Sequence, residues 1–325
     1  MYASGEWASG NKWATDAPKD LIKAETFSVI SLGACGAFVH GLEDEFLEVR
    51  SAALDSICEL ASNSARFAAL SMDFLVDMLN DEIEGIRLNA IYSLRKISRH
   101  ILFREDQLDT VLSIVDDANR VVREGVHELL SAGSIATKNG LMTTVLRLLR
   151  NLCKYPPDRE SIWKCFHHLG ANHPTLVLAL VNELLSTHAY FDTPEPNMDD
   201  PAYISVLILV FNAAAKTPTI VPHFPDHTRS HYSFIRALIP DIVPHLGALS
   251  PASSQHLPSA DSSRLSQDLS AFMQSTLEKF SDVPSLESVD RRHALIQMLI
   301  RDLERVAAVD TARSATAQCI GKNNF

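Results

Sequence analysis

A chain of 325 residues can hold two or three globular domains or one elongated array, and its apolar share of 46 % is that of a folded protein, so disorder cannot dominate. The formal net charge of −11 argues against a protein whose main business is neutralising phosphates over a broad face; any nucleic-acid contact has to be local. The five cysteines, Cys35, Cys58, Cys153, Cys165 and Cys319, show no paired spacing, which fits reduced thiols rather than a disulfide framework.

Residues 1–22 are small and polar apart from Trp7 and Trp13, and read as a leader with at most a fragment of helix. The stretch lacks an apolar signal core, and the longest greasy run, Ala202 to Phe211, is half of what a membrane span requires. A soluble, intracellular protein without membrane contact is expected.

Residues 23–170 carry a repeat. Asp44 stands six residues before Arg50, Asp81 six before Arg87, and Asp117 six before Arg123, with steps of 37 and 36 residues between copies. Phe38, Leu75 and Val111 lie six before each Asp, and Val49, Ile86 and Val122 lie just before each Arg. Such a period, built from two amphipathic segments and a short turn, marks helical hairpins that cannot bury their apolar faces alone and must stack. In the helix after each turn the expected apolar stripe is Val49, Ala53, Ile57 and Leu60 in the first copy and Ile86, Ala90, Leu94 and Ile97 in the second. The third keeps Val122, Val126 and Leu130 but has Gly133 in the fourth place, so its helix should end early. The Asp of each turn is expected to accept from free N–H groups at the start of the second helix. The Arg fork is expected to reach a carboxylate or carbonyl of its own turn or of the neighbouring repeat. Asp44, Arg50, Asp81, Arg87, Asp117 and Arg123 are thus read as a repeat-locking ladder. A fourth, less regular unit follows, with Leu141–Leu152 as first helix, Tyr155–Asp158 as turn and Ser161–Leu169 as second helix; its two prolines stand where the Arg motif would be.

Residues 171–247 continue as irregular helical repeats. His173 and Pro174 open a helix over Thr175–Ser186, Asp200 and Pro201 open a greasy one over Pro201–Lys216, and a stretch over Thr228–Leu246 is interrupted by Pro240 and Pro244. Residues 248–263, rich in Ser and Pro, read as a flexible linker. Residues 264–309 form a helical pair, and 310–325 a polar tail. Two helices are too few for an independent core, so the pair either packs back on the array or belongs to a domain that is missing. The fold class is all-α: a HEAT/armadillo-like α-solenoid of stacked helical hairpins, with a linker and a C-terminal helical pair.

Candidate chemistry is sparse. Cys165, His167, His168 and His173 carry metal-ligand atoms, but at poor spacing, and are read as a half-exposed helix end rather than a metal site. No Gly-rich phosphate loop or nucleophile elbow is present, and the acidic pairs Asp116–Asp117 and Asp199–Asp200 sit where carboxylates cap backbone amides. No catalytic residue, metal ligand or cofactor is assigned, and no enzyme is expected. Arg95, Lys96, Arg99, His100 and Arg104 make one basic run, and Arg147, Arg150 and Lys154 another. If the repeats stack in register these share a ridge able to meet a partner or a polyanion such as RNA or an inositol phosphate; the plainer alternative is a solvated face with cations at helix C-termini.

Several strings go beyond repeat packing. GACGAFVHGLEDE from Gly33, FLVDMLNDEIE from Phe74, REDQLDTVL from Arg104, SIWKC from Ser161, HPTLVLALV from His173, ELLSTH from Glu183 and MDDPAYI from Met198 together resemble the subunit 4 family of the Integrator complex. The match is dense from Gly33 to Gly247 and thinner through Asp302, Leu303, Glu304, Arg305 and Cys319. The resemblance implies a nuclear HEAT-repeat scaffold for the module that cleaves nascent RNA polymerase II transcripts, including small nuclear RNA 3′ ends. Its partners would be two metallo-β-lactamase-type subunits, one of them the endonuclease, along with other Integrator subunits; RNA contact would be indirect or weak. It also implies an inositol-phosphate site at a complex interface, for which no position here can be named. The family's proteins are much longer, with further domains expected to grip the nuclease pair, so a truncated form is expected. The alternatives are a HEAT-type adaptor that binds RNA or another polyanion through the basic ridge, and a transport or phosphatase-type adaptor.

Overall fold

The computed structural model describes residues 35–186, 195–249, 261–283 and 289–322. The polar leader and residues 250–260 of the expected linker lie outside these. The chain divides into two compact units, residues 1–101 and 102–325.

The first unit is built from α1 (Cys35–Gly41), α2 (Leu47–Asn63), α3 (Ala65–Asp77) and α4 (Glu84–Ile97). α2 packs on both α3 and α4, and their apolar faces make one core in which Leu54, Ile57 and Ala61 meet Leu75, Leu79, Ile86, Ile91, Leu94 and Ile97. Ser64 starts α3 by accepting from the Phe67 N–H at 3.3 Å, satisfying a donor that has no partner within the helix. The second-copy stripe, Ile86, Ala90, Leu94 and Ile97, is wholly inside. The first-copy stripe is rotated. Val49 is 40 % exposed and Leu60 half-buried, while Arg50, Ala53, Leu54, Ile57, Cys58 and Ala61 face inward. Turning Arg50 to the core side carries Val49, one residue earlier, outward.

The second unit opens with β1 (Leu102–Phe103), which pairs in parallel with β2 (Ser134–Ile135) through Leu102 with Ser134 and Phe103 with Ile135. This two-residue bridge was not expected; it closes the third hairpin, α5 (Glu105–Ser113) and α6 (Arg120–Ala132). α6 does end early, with Gly133 as its C-cap, and packing keeps that position a glycine: a Cβ there would lie 2.4 Å from the Phe103 ring. The next hairpins are α7 (Lys138–Lys154) with α8 (Arg159–Asn172), and α9 (Pro174–Leu184) with α10 (Pro201–Lys216). α8 and α10 approach closely at Gly170, where a Cβ would be 2.2 Å from the Leu209 carbonyl oxygen. α10 is enclosed from Ile204 to Ala214, as its apolar run demands.

A 3₁₀ segment (Pro218–His223) leads to α11 (Asp226–Leu238). The helical stretch expected to run to Leu246 stops at Leu238, two residues before Pro240, because a proline disfavours helical backbone in the residue before it. The remainder folds back on α11, where the Tyr232 hydroxyl donates to the Pro244 carbonyl at 3.0 Å and accepts from the Leu246 N–H at 2.7 Å. α12 (Asp261–Asp282) begins inside the range read as linker, and α13 (Val289–Lys322) continues through most of the range read as a polar tail. Small helix formers such as Ala312, Ala315 and Ala317 sustain a helix where apolar content had suggested none. α12 packs back on α11, with Phe234 and Phe272 rings 5.2 Å apart and Arg236 3.3 Å from Asp268.

Candidate functional site: the polar ladder of the repeats

The three Asp–Arg turns share one geometry. Each Asp accepts, through Oδ1, from the N–H two residues on: Phe46 at 2.9 Å, Ile83 at 2.8 Å and Asn119 at 2.7 Å. Those three residues are the N-caps of α2, α4 and α6, so the carboxylate shapes the turn one step ahead of the helix. Each Arg then folds back from the first turn of its helix. Its Nη1 donates to the carbonyl of the Asp at 2.8, 3.0 and 2.9 Å for Arg50, Arg87 and Arg123, and also to the carbonyl of the next residue.

For Arg50 and Arg123 the other edge of the fork reaches the following repeat. Arg50 places Nε 3.0 Å and Nη2 3.3 Å from the two carboxylate oxygens of Asp81, a paired arrangement with both side chains nearly buried. Arg123 donates from Nε to Asp158 at 2.6 Å, and its guanidinium lies 3.8 Å from the Tyr155 ring centroid. Asp158, in the proline-rich turn of the fourth hairpin, was not read as part of the ladder. Its signal was present but offset: it follows Asp117 by 41 residues rather than 36, and six residues later stands an exposed Lys164 instead of an inward Arg.

Beside this rung lies a buried polar cluster that periodicity could not reveal. His127, 1 % exposed, places Nδ1 2.6 Å from the Ser161 hydroxyl, and burial pushes its pKa down to about 4. Asn151 donates to the Val115 carbonyl at 2.6 Å, and the Trp163 indole donates to the Ser205 hydroxyl at 3.1 Å. Further along the unit, the Tyr203 hydroxyl sits 3.0 Å from His231 Nδ1, and His231 Nε2 sits 2.7 Å from Glu195, which also meets Lys279 at 3.1 Å. Burial alone would raise the Glu195 carboxyl, but the His231 hydrogen bond and the Lys279 ammonium outweigh it and hold it at about 2.

Of the four residues with metal-ligand atoms, His168 is exposed, and Cys165, His167 and His173 are buried or bonded elsewhere. Cys165 is fully buried, which pushes its thiol up to about 12. His173 is bound on both sides: Nε2 accepts from the Ile135 N–H at 2.8 Å and Nδ1 donates to the Leu169 carbonyl at 3.2 Å. His167 Nδ1 lies 2.9 Å from the Ile242 carbonyl. Among the described residues no group of three or more His, Cys, Asp or Glu side chains could hold a metal ion. Of the acidic pairs, Asp117 and Asp200 bond backbone amides, at Asn119 and Ala202.

The two basic runs fall largely in different units and are partly engaged. Lys96 reaches Glu59 at 2.8 Å, Arg99 donates to the Ser62 carbonyl at 3.2 Å, and Arg95 lies 5.5 Å from the Tyr92 ring centroid. In the second unit Arg104 pairs with Asp106 at 3.0 Å and Lys154 with Asp116 at 3.5 Å, whereas Arg147 and Arg150 stand exposed on α7. Lys96 and Arg99 thus work as cross-links between successive hairpins.

A family model for HEAT repeats matches residues 37–131, the stretch holding the three Asp–Arg turns. Integrator complex subunit 4 from Homo sapiens is 49 % identical over 98 % of this chain and 33 % of its own length. The Drosophila melanogaster protein of that name is 44 % identical over 98 % of this chain and 31 % of its own. The Dictyostelium discoideum homologue is 37 % identical over 69 % of this chain and 18 % of its own. The chain spans about a third of the length of the animal relatives it matches. Hairpins stacked through paired Asp and Arg, and near-half identity over almost every residue, lead to one conclusion: the chain belongs to the Integrator complex subunit 4 family.

Proposed function

We propose that this chain acts as a non-enzymatic scaffold of the Integrator complex in the nucleus, offering the outer surfaces of its stacked hairpins to protein partners. In this reading the partners are the paired metallo-β-lactamase subunits of the cleavage module and other Integrator subunits. The chain supports RNA cleavage in small nuclear RNA 3′-end processing and in termination or attenuation of RNA polymerase II transcription, while the reacting groups belong to the endonuclease. Inositol phosphate, in the same reading, is a ligand of the assembled interface and not a resident cofactor.

The observation that carries the proposal is the 49 % identity to human Integrator complex subunit 4 over 98 % of the chain. The chemistry of the interior supports it, since Asp44, Asp81, Asp117, Asp158 and Asp200 hold turns, helix starts and neighbouring repeats. Exposed Arg147 and Arg150 favour one second reading, a local polyanion contact on α7. Affinity purification of the tagged chain from nuclear extract tests both. Co-purification of the metallo-β-lactamase pair is expected. Recovery of RNA without that pair, falling steeply with salt, would favour the polyanion reading, and recovery of neither would refute the scaffold role.

A further inference from the structure

The segment Glu195–Met198, α11 and α13 enclose an open groove of about 640 Å³ within the second unit. α13 turns one face to it, with Arg291, Ala294 or Leu295, Met298, Arg301 and Arg305 three or four residues apart as one helix face requires, and with Asp302 beside Arg305. Pro196 and Met198 line it as well. The α13 stripe is therefore apolar in the middle and bears guanidinium groups toward both ends, with Arg291 and Arg301 about 15 Å apart along the helix.

The acids at this groove are already matched. Glu195 is committed to His231 and Lys279, Asp302 lies against Arg305, and Arg305 also reaches Asp199 at 2.6 Å. Arg301 is exposed, and no described residue pairs with it. In a chain of net charge −11, Arg301 is a cation left unmatched at the groove's rim, and half-buried Met298 beside it, unbranched and polarisable, adapts to varied apolar groups.

We propose that this groove docks an acidic amphipathic segment of a protein partner, with apolar side chains seated on Leu295 and Met298 and carboxylates meeting Arg301. This deepens the scaffold reading and rests on it in taking the ligand to be a protein.

The test uses the full chain and fluorescence anisotropy. The probe is a fluorescein-labelled helical peptide of about 15 residues, with Leu on one face and Glu on the flanks. A second probe replaces every Glu by Lys. The Glu peptide is expected to bind at least about tenfold more tightly than the Lys peptide, and Arg301→Glu to weaken it about tenfold with an unchanged circular-dichroism melt. Arg301→Gln should fall between. Equal binding of both peptides, no binding of either, or indifference to Arg301→Glu would overturn the proposal. So would inositol hexakisphosphate binding that Arg301→Glu abolishes in the absence of peptide binding. Co-purification of the nuclease pair is read separately, so failure of the groove and failure of the scaffold role are distinguishable.

Discussion

The rung between Arg123 and Asp158 gives the sharpest test of how the repeats hold together. The Asp158 side chain is fully enclosed, and Arg123 supplies it with a 2.6 Å hydrogen bond while binding the Asp117 and Ala118 carbonyls and covering the Tyr155 ring. Arg123→Ala removes all of these together. It leaves a buried carboxylate whose nearest remaining cation is Arg120, at 3.4 Å and largely exposed, and it strips two turn carbonyls of a donor. Removing one member of a buried ion pair costs about 3–5 kcal/mol, whereas replacing both by apolar side chains of similar volume is close to neutral. Arg123→Ala is therefore expected to cost about 3–5 kcal/mol, and Arg123→Met with Asp158→Leu much less. Stacked repeats open locally, so a single melting temperature is a poor readout. Hydrogen exchange followed by mass spectrometry resolves the site: amides of α6 and α8 should lose protection by about 10²- to 10⁴-fold, and α11 should change little. A coupling below about 0.5 kcal/mol in the double-mutant cycle, or loss spread evenly over the unit, would refute the ladder as the lock.

Two further outcomes follow from the same interior. His127 has a folded pKa of about 4 against an ordinary 6.5, so between those values the unfolded chain binds more protons and stability rises with pH. Its contribution is complete above pH 6.5 and falls by on the order of 3 kcal/mol toward pH 4, so a urea-denaturation series on the wild type should slope across that window and His127→Gln should flatten it. Gly170→Ala forces a methyl group to 2.2 Å from the Leu209 carbonyl oxygen, a backbone atom that cannot step aside cheaply, so α8 and α10 should part at a cost of about 1–3 kcal/mol, measured as lost amide protection in both helices.

The chain's own order of residues determined the hairpin architecture. The interval of 36 to 37 residues, the Asp and Arg six apart and the apolar stripe of the second copy each belong to local helix geometry, which is written in spacing. The early end of α6 was legible for the same reason, at Gly133. What only the tertiary structure decided lies between elements. Asp158 as a partner of Arg123, the His127–Ser161 contact, the tie from Trp163 to Ser205 and the junction of Glu195, His231 and Lys279 join residues tens of positions apart. No periodicity selects them, because each depends on how far one hairpin is rotated and shifted against the next. The Val49 stripe shows that dependence directly: its spacing suits a buried face, yet turning Arg50 inward to reach Asp81 sends Val49 to the surface. Spacing along a helix names the sides it has, and only the neighbouring helix settles which of them is covered.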